Sequence, residues 1–103
     1  MRRAKVFVAG VEAGVLEELT RGSEYIFRYH ETYQGYPVSL TMPIEQREIW
    51  FNRFPPFFDG VLPEGFMLAA LLRQTRIEKD DLFSQLVAVG GNLVGPVTIE
   101  EIL

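Results

Sequence analysis

Lys5-Val6-Phe7-Val8-Ala9-Gly10-Val11-Glu12-Ala13-Gly14-Val15-Leu16-Glu17-Glu18-Leu19 decides the fold class. Two stretches of strand composition meet at Ala9-Gly10, and a tight turn near Gly10 folds them into a hairpin. Thr20-Arg21-Gly22-Ser23 is the next turn signal. The following Glu24-Tyr25-Ile26-Phe27-Arg28-Tyr29-His30 is aromatic and β-branched, which suits a pleated surface. Strand periodicity puts Tyr25, Phe27 and Tyr29 on one face and Glu24, Ile26, Arg28 and His30 on the other. Gln34-Gly35-Tyr36-Pro37 closes this strand. Val38-Ser39-Leu40-Thr41-Met42 alternates, with Val38, Leu40 and Met42 expected inward, and Pro43 ends it. Four strands in order with short turns predict an antiparallel meander.

The middle of the chain changes character. Glu48-Ile49-Trp50-Phe51-Asn52 reads equally as a short strand or a helical turn. Pro55 and Pro56 forbid a central strand. Pro56 suits the first turn of a short helix, where its missing N–H would have no partner anyway. That helix must stop by Leu62, because Pro63 disfavours helical geometry in the residue before it.

The last forty or so residues read as mainly helical. Phe66 to Gln74 consists of strong helix formers, with Glu64 and Arg73 placed to suit the helix dipole. Its seven leading apolar residues, Phe66 to Leu72, leave no polar face in the first two turns. Such a helix is either buried on two sides or presents one side to another molecule. Asp80 or Asp81 caps a second helix, Leu82–Val89, with Leu82, Phe83, Leu86 and Val89 as its core stripe. Gly90-Gly91 ends it. Val94-Gly95-Pro96-Val97-Thr98-Ile99 is a final strand, and Pro96 places it at a sheet edge or marks its start. The expected fold class is α+β: a small antiparallel sheet, meander plus C-terminal strand, with two or three helices packed on one face.

The 103 residues suffice for one domain, read as 1–103, with no repeat, linker or low-complexity tract. Apolar residues make up 48% and charged residues 23%, the balance of a packed chain. The absence of cysteine excludes disulfides, thiolate zinc and cysteine catalysis. A single histidine, His30, excludes any metal site that needs two imidazoles. No apolar run approaches the ~20 residues that span a bilayer, and Val6–Ala9 is too short for a signal-peptide core. A cytoplasmic protein without membrane contact is expected. Residues 1–57 balance seven basic against seven acidic side chains, while residues 58–103 hold three against seven. The one basic cluster, Arg2, Arg3 and Lys5, is a solvated chain end rather than a duplex-binding face, so no direct nucleic-acid binding is expected.

Catalytic signals are lacking. No serine sits in a recognisable nucleophile elbow, and His30 falls in a predicted strand. Asp80-Asp81 is more simply a helix cap than a catalytic carboxylate pair. Gly90-Gly91-Asn92-Leu93-Val94-Gly95 follows a helix and precedes a strand, the reverse of a phosphate-binding loop. No catalytic, cofactor-binding or metal-binding residue is therefore assigned. The aromatic cluster is more informative. Trp50, Phe51, Phe54, Phe57 and Phe58 fall close together, and Phe66 follows Leu62-Pro63-Glu64-Gly65. Core packing is the ordinary role for most of them. A rigid Pro/Gly turn can nevertheless present Phe66 outward at a helix start, where an aromatic anchor loses little side-chain entropy on binding.

Pro56-Phe57-Phe58-Asp59-Gly60-Val61-Leu62-Pro63-Glu64-Gly65 resembles the FF-x-x-L-L-P-E/D motif near the N-terminus of HipA-type serine/threonine kinase toxins. Leu82 to Val97 is similar to their D-x-F-x-L-L-x-x-x-G-x-D-x-x-G-A-V segment, and Val6–Gly10 through Leu16 is similar to their first hairpin. Two departures stand out: Asn92 replaces a frequent acidic residue, and Pro96 the usual alanine. No stretch resembles the kinase's nucleotide-binding lysine, catalytic aspartate or metal-binding aspartate, and the chain ends at Leu103, where a HipA kinase continues. The expectation is a non-enzymatic, free-standing copy of the N-terminal domain, similar to the HipS-type component of three-gene HipBST toxin–antitoxin systems. The resemblance implies an antitoxin that neutralises a HipT-like kinase and meets a HipB-like helix-turn-helix protein through the complex. It also admits a structural accessory that holds the kinase–HipB–DNA assembly together without inhibiting it. Phe57, Phe58, Leu62, Pro63, Glu64, Gly65 and Phe66 are the expected partner-binding residues, with Phe66 the anchor and Glu64 a polar rim contact.

Overall fold

A computed structural model describes residues 1–93 and 95–103. Five strands, β1 (Arg2–Val8), β2 (Val11–Thr20), β3 (Glu24–Tyr29), β4 (Glu48–Phe51) and β5 (Val97–Ile102), form one sheet in the order β4-β3-β2-β1-β5. Every neighbouring pair is antiparallel. Three helices, α1 (Pro56–Gly60), α2 (Gly65–Thr75) and α3 (Leu82–Val89), fall between β4 and β5. The architecture is the expected α+β meander with a C-terminal edge strand.

The first hairpin turns on Ala9 and Gly10, at φ 51° and 81°, between the paired residues Val8 and Val11. Two positive φ values in a two-residue loop match the right-handed twist of the flanking strands. The register then shifts between Val6, opposite Gly14, and Phe7, opposite Glu12. Ala13 is the extra residue of this bulge, so Ala13 and Gly14 are buried in succession. A Cβ on Gly14 would lie 2.1 Å from the Arg28 carbonyl oxygen, so β3 can approach here only because the residue is glycine.

Cross-strand rows build the two faces. Ala4, Leu16, Phe27 and Ile49 form one row of the inner face, and Val6 with Ile99 and Tyr29 another. Phe58 of α1 and Phe83 and Leu86 of α3 complete the core over them. The outer face carries Lys5, Val15, Arg28 and Glu48 in one row. Arg28 bridges Glu17 at 2.5 Å and Glu48 at 2.8 Å there.

The fourth strand is not where alternation placed it. Val38–Met42 forms only a Ser39–Met42 bridge, closed by the Met42 amide donating to the Ser39 carbonyl at 3.0 Å. Val38 and Met42 are buried as expected, but Leu40 sits on the turn tip, 95% exposed. Prolines 37 and 43 bracket too few residues for a ladder and remove two donors. Tyr29 holds this loop instead: its hydroxyl donates to the Met42 carbonyl and accepts from the Val38 amide. The segment that periodicity left undecided, Glu48–Phe51, takes the fourth place.

Helix α1 begins on Pro56 and ends at Gly60, ahead of Pro63, as the prolines dictate. Asp81, rather than Asp80, caps α3, accepting from the Ser84 amide at 3.2 Å and the Ser84 hydroxyl at 2.7 Å. Gly90 and Gly91 do not stop α3 through left-handed backbone; Gly90 has φ −55° and opens a short 3-10 turn to Asn92. Gly90 is required by proximity, since a Cβ there would lie 2.3 Å from the Ile99 carbonyl oxygen. The final strand begins at Val97, after Pro96, whose carbonyl accepts from the Ala9 amide at 2.9 Å. Val94, expected at its start, lies outside the described residues. The first alternative for the apolar helix does not hold: α2 buries no residue among those described.

Candidate docking surface

The turn between α1 and α2 is built by three residues with distinct backbone demands. Pro63 ends the run after Leu62, Glu64 is extended at φ −129° and ψ 166°, and Gly65 starts α2 at φ 57°. The left-handed geometry at Gly65 has no steric penalty without a side chain. The Glu64 carbonyl accepts from the amides of Met67 (3.2 Å) and Leu68 (3.4 Å), which starts the helix. This turn throws Phe66 into solvent, 95% exposed, with Met67 beside it at 71%.

The other expected partner-binding residues grade inward from that point. Glu64 and Gly65 are exposed, Pro63 and Phe57 are half-buried, and Leu62 and Phe58 are buried, Phe58 wholly in the core. Phe57 packs edge-on against Phe58 at 5.3 Å between ring centroids, so the two phenylalanines support the turn from beneath. A cleft of about 640 Å³ opens beside the turn, lined by Val61, Leu62, Pro63, Met67, Val89 and Leu93 among others. Sequence reasoning did not identify Met67, Val89 or Leu93. The unbroken apolar run from Phe66 was the available sign for Met67, whereas the other two needed the packing of α3.

The aromatic cluster divides between interior and surface. Phe54 and Phe58 are buried, Phe51 and Phe57 are partly so, and Trp50 is 59% exposed. Trp50 stands on the outer face of β4, opposite Ile26, beside a second cleft lined by Thr20, Glu24, Arg53 and Pro56.

Titratable groups gather elsewhere. Arg2 donates to Glu18 at 2.7 Å and to Asp81 and Ser84 of the α3 cap at 3.2 and 2.8 Å, and stacks over Phe83. Tyr25 and the Gly22 amide donate to the second Glu18 oxygen at 2.9 and 3.1 Å. Burial alone pushes the Glu18 carboxyl up; the bonds from Arg2, Gly22 and Tyr25 outweigh it and hold the carboxyl below its ordinary range. Asp81 is likewise held low: burial opposes, and Ser84 and Arg2 prevail. Burial, and then the bond to Glu18, raise the Tyr25 phenol. This network is fully satisfied and fastens α3 to the sheet. His30 follows β3 and pairs through Nε2 with Glu12. Among the described residues no three of His, Cys, Asp and Glu converge as a metal site, and no helix is long and apolar enough to cross a membrane.

Comparison with known proteins identifies the fold that carries this turn. The family model of the HipA N-terminal domain matches residues 4–100. An uncharacterized protein of Haemophilus influenzae is 38% identical over 101 residues, covering 98% of this chain and 93% of that one. The solved N-terminal domain of HipA toxin superposes with a TM-score of 0.79 at 34% identity, over all of this chain and 94% of that one. The matched region is the N-terminal domain of HipA, which is not its kinase domain. Family model and superposition therefore agree: the chain belongs to the HipA N-terminal domain family.

Proposed function

We propose that the chain is a HipS-type antitoxin. It binds and neutralises a HipT-like serine/threonine kinase of a HipBST toxin–antitoxin system in the cytoplasm. It has no enzymatic activity of its own and reaches a HipB-like DNA-binding protein only through the kinase. The observation that carries this reading is Phe66, held almost fully in solvent by a Pro63–Gly65 turn at the mouth of an apolar cleft. An exposed apolar patch of this kind marks an interaction site in a folded chain. Phe66 is the anchor, Glu64 a polar rim contact, and Pro63, Gly65 and the exposed edge of Phe57 the surround, with the buried Leu62 forming part of the cleft wall. Phe58 holds them in place from within the core.

The experiment is coexpression with a HipT-like kinase, followed by an autophosphorylation assay on the purified proteins. Loss of a buried aromatic anchor weakens binding by about 2 kcal/mol or more, roughly 30-fold. Phe66→Ala should therefore release kinase activity at antitoxin concentrations that silence it with the unaltered chain. Full inhibition by a folded Phe66→Ala variant would sink the assignment. The structural-accessory reading draws on Trp50, a second exposed aromatic on the opposite face of the sheet. On that reading, a saturating amount of the chain leaves autophosphorylation unchanged while the kinase–HipB complex still copurifies with it.

A further inference from the structure

Helix α2 has 11 residues and seven of the first eight are apolar, yet it contributes nothing to the core. Among the described residues none of its side chains is buried, and none belongs to the partly buried apolar set packed against the core. It is attached at its ends. On the N-terminal side Leu62 is buried and Val61 packs on the core. On the C-terminal side the buried Gln85 of α3 donates to the carbonyls of Glu78 (3.3 Å) and Lys79 (2.9 Å), and Asp81 pairs with Arg2 and Arg21. Both junctions turn on left-handed residues, Gly65 at φ 57° and Arg76 at φ 59°, and the Glu64 side chain supplies no cap. Most helix stability in proteins comes from packing a face, and isolated helices below ~12–15 residues are marginal in water.

We infer that α2 is a strap that forms and melts on its own, while the sheet, α1 and α3 remain folded. Its ends are anchored, and between them only the half-buried Leu68, Ala70, Leu71 and Leu72, none of them packed against the core, supplement its own hydrogen bonds. The inference concerns the chain by itself and goes beyond the docking reading. A partner that docks on α2 must order it, which lowers the affinity gained per unit of contact area.

Ala69 in α2 and Ala88 in α3 are both exposed helical alanines, so glycine at either place weakens its helix without opening a cavity. In native-state hydrogen exchange on the whole chain, the α2 amides from Leu68 to Thr75 should exchange on the order of a hundredfold faster than those of α3. Ala69→Gly should speed exchange in α2 by a further factor of about five. It should leave α3 exchange and the thermal midpoint of the domain unmoved, whereas Ala88→Gly should lower that midpoint. The inference is overturned if α2 exchanges in step with α3, or if Ala69→Gly lowers the midpoint as much as Ala88→Gly does.

Discussion

Replacing Gly90 by alanine tests whether the end of α3 is set by contact with β5. The added methyl would lie 2.3 Å from the Ile99 carbonyl oxygen and 2.8 Å from the Ile99 Cβ. Even a weak C–H···O contact spans ~3.3–3.6 Å, so about 1 Å must be yielded. The atom in the way is backbone, and Ile99 is paired with Val6 in the ladder to β1. It cannot move aside as a flexible side chain would. Overpacking of this kind costs about 1–3 kcal/mol, partly offset by the ~0.4–1 kcal/mol that alanine gains by restricting the unfolded chain. The net expectation is a loss of about 1–2 kcal/mol, a fall in midpoint of roughly 4–16 °C. Gly91 is the control, since a Cβ there meets nothing within 4 Å. Gly91→Ala should be neutral or slightly stabilising. Thermal unfolding followed by circular dichroism measures both. If Gly90→Ala proves as stable as Gly91→Ala, the contact does not position α3 and the proximity argument fails.

The low Glu18 and Asp81 carboxyls stabilise the fold fully above the unfolded carboxylate value of about 4, and this contribution is lost as pH falls through their lower folded values. Thermal midpoints should therefore drop on the acid side, and Glu18→Gln should flatten part of that drop; an identical acid limb in the variant would count against the network. Ala9 lies at φ 51° in a turn that favours asparagine or glycine, so Ala9→Asn should stabilise by about 0.5–1 kcal/mol in a denaturant titration, and destabilisation would contradict the turn geometry. Met42→Ala should cost about 2–5 kcal/mol and Leu40→Ser less than about 0.5 kcal/mol, whereas a strand with both residues inward would make the two losses comparable. Phe66→Ala should leave the unfolding free energy of the chain, read from a denaturant titration, within about 0.5 kcal/mol of the original, and a larger loss would mean that Phe66 supports the fold.

What could be read in the sequence was local. The Ala9-Gly10 hairpin, the Pro56 helix start and the stop before Pro63 each follow from backbone preferences of adjacent residues. The exposed Phe66 was legible for the same reason, because proline and glycine fix the turn that presents it. Val38–Met42 was misread because two-residue alternation over so short a span describes a bridged turn as well as a strand. Only the hydroxyl of Tyr29, outside the segment, decides between them. The choice of Asp81 over Asp80 depends on which carboxylate meets Ser84 and Arg2, and Arg2 lies at the other end of the chain. The far wall of the cleft, Val89 and Leu93, is set by how α3 lies on the sheet, which no window of sequence contains.

That placement has a physical cause at each end of α3. The inner-face row of Arg2, Glu18 and Tyr25 lies under the first turn of α3, where Arg2 stacks over Phe83 and reaches the Asp81 cap. The Arg2–Glu18–Asp81 network closes this end of the sheet. Ion pairs taken out of water roughly break even in stability against apolar packing. The network's distinct effect is therefore positional: it fixes the first turn of α3 through its cap. At the other end Gly90 lets the helix settle directly against Ile99. A helix pinned at both ends holds Val89 in place, and so keeps one wall of the cleft fixed beside a strap that is itself loosely held. On the docking reading proposed above, a rigid wall facing a loosely held helix allows α2 to adapt to a partner while the cleft it borders stays in register.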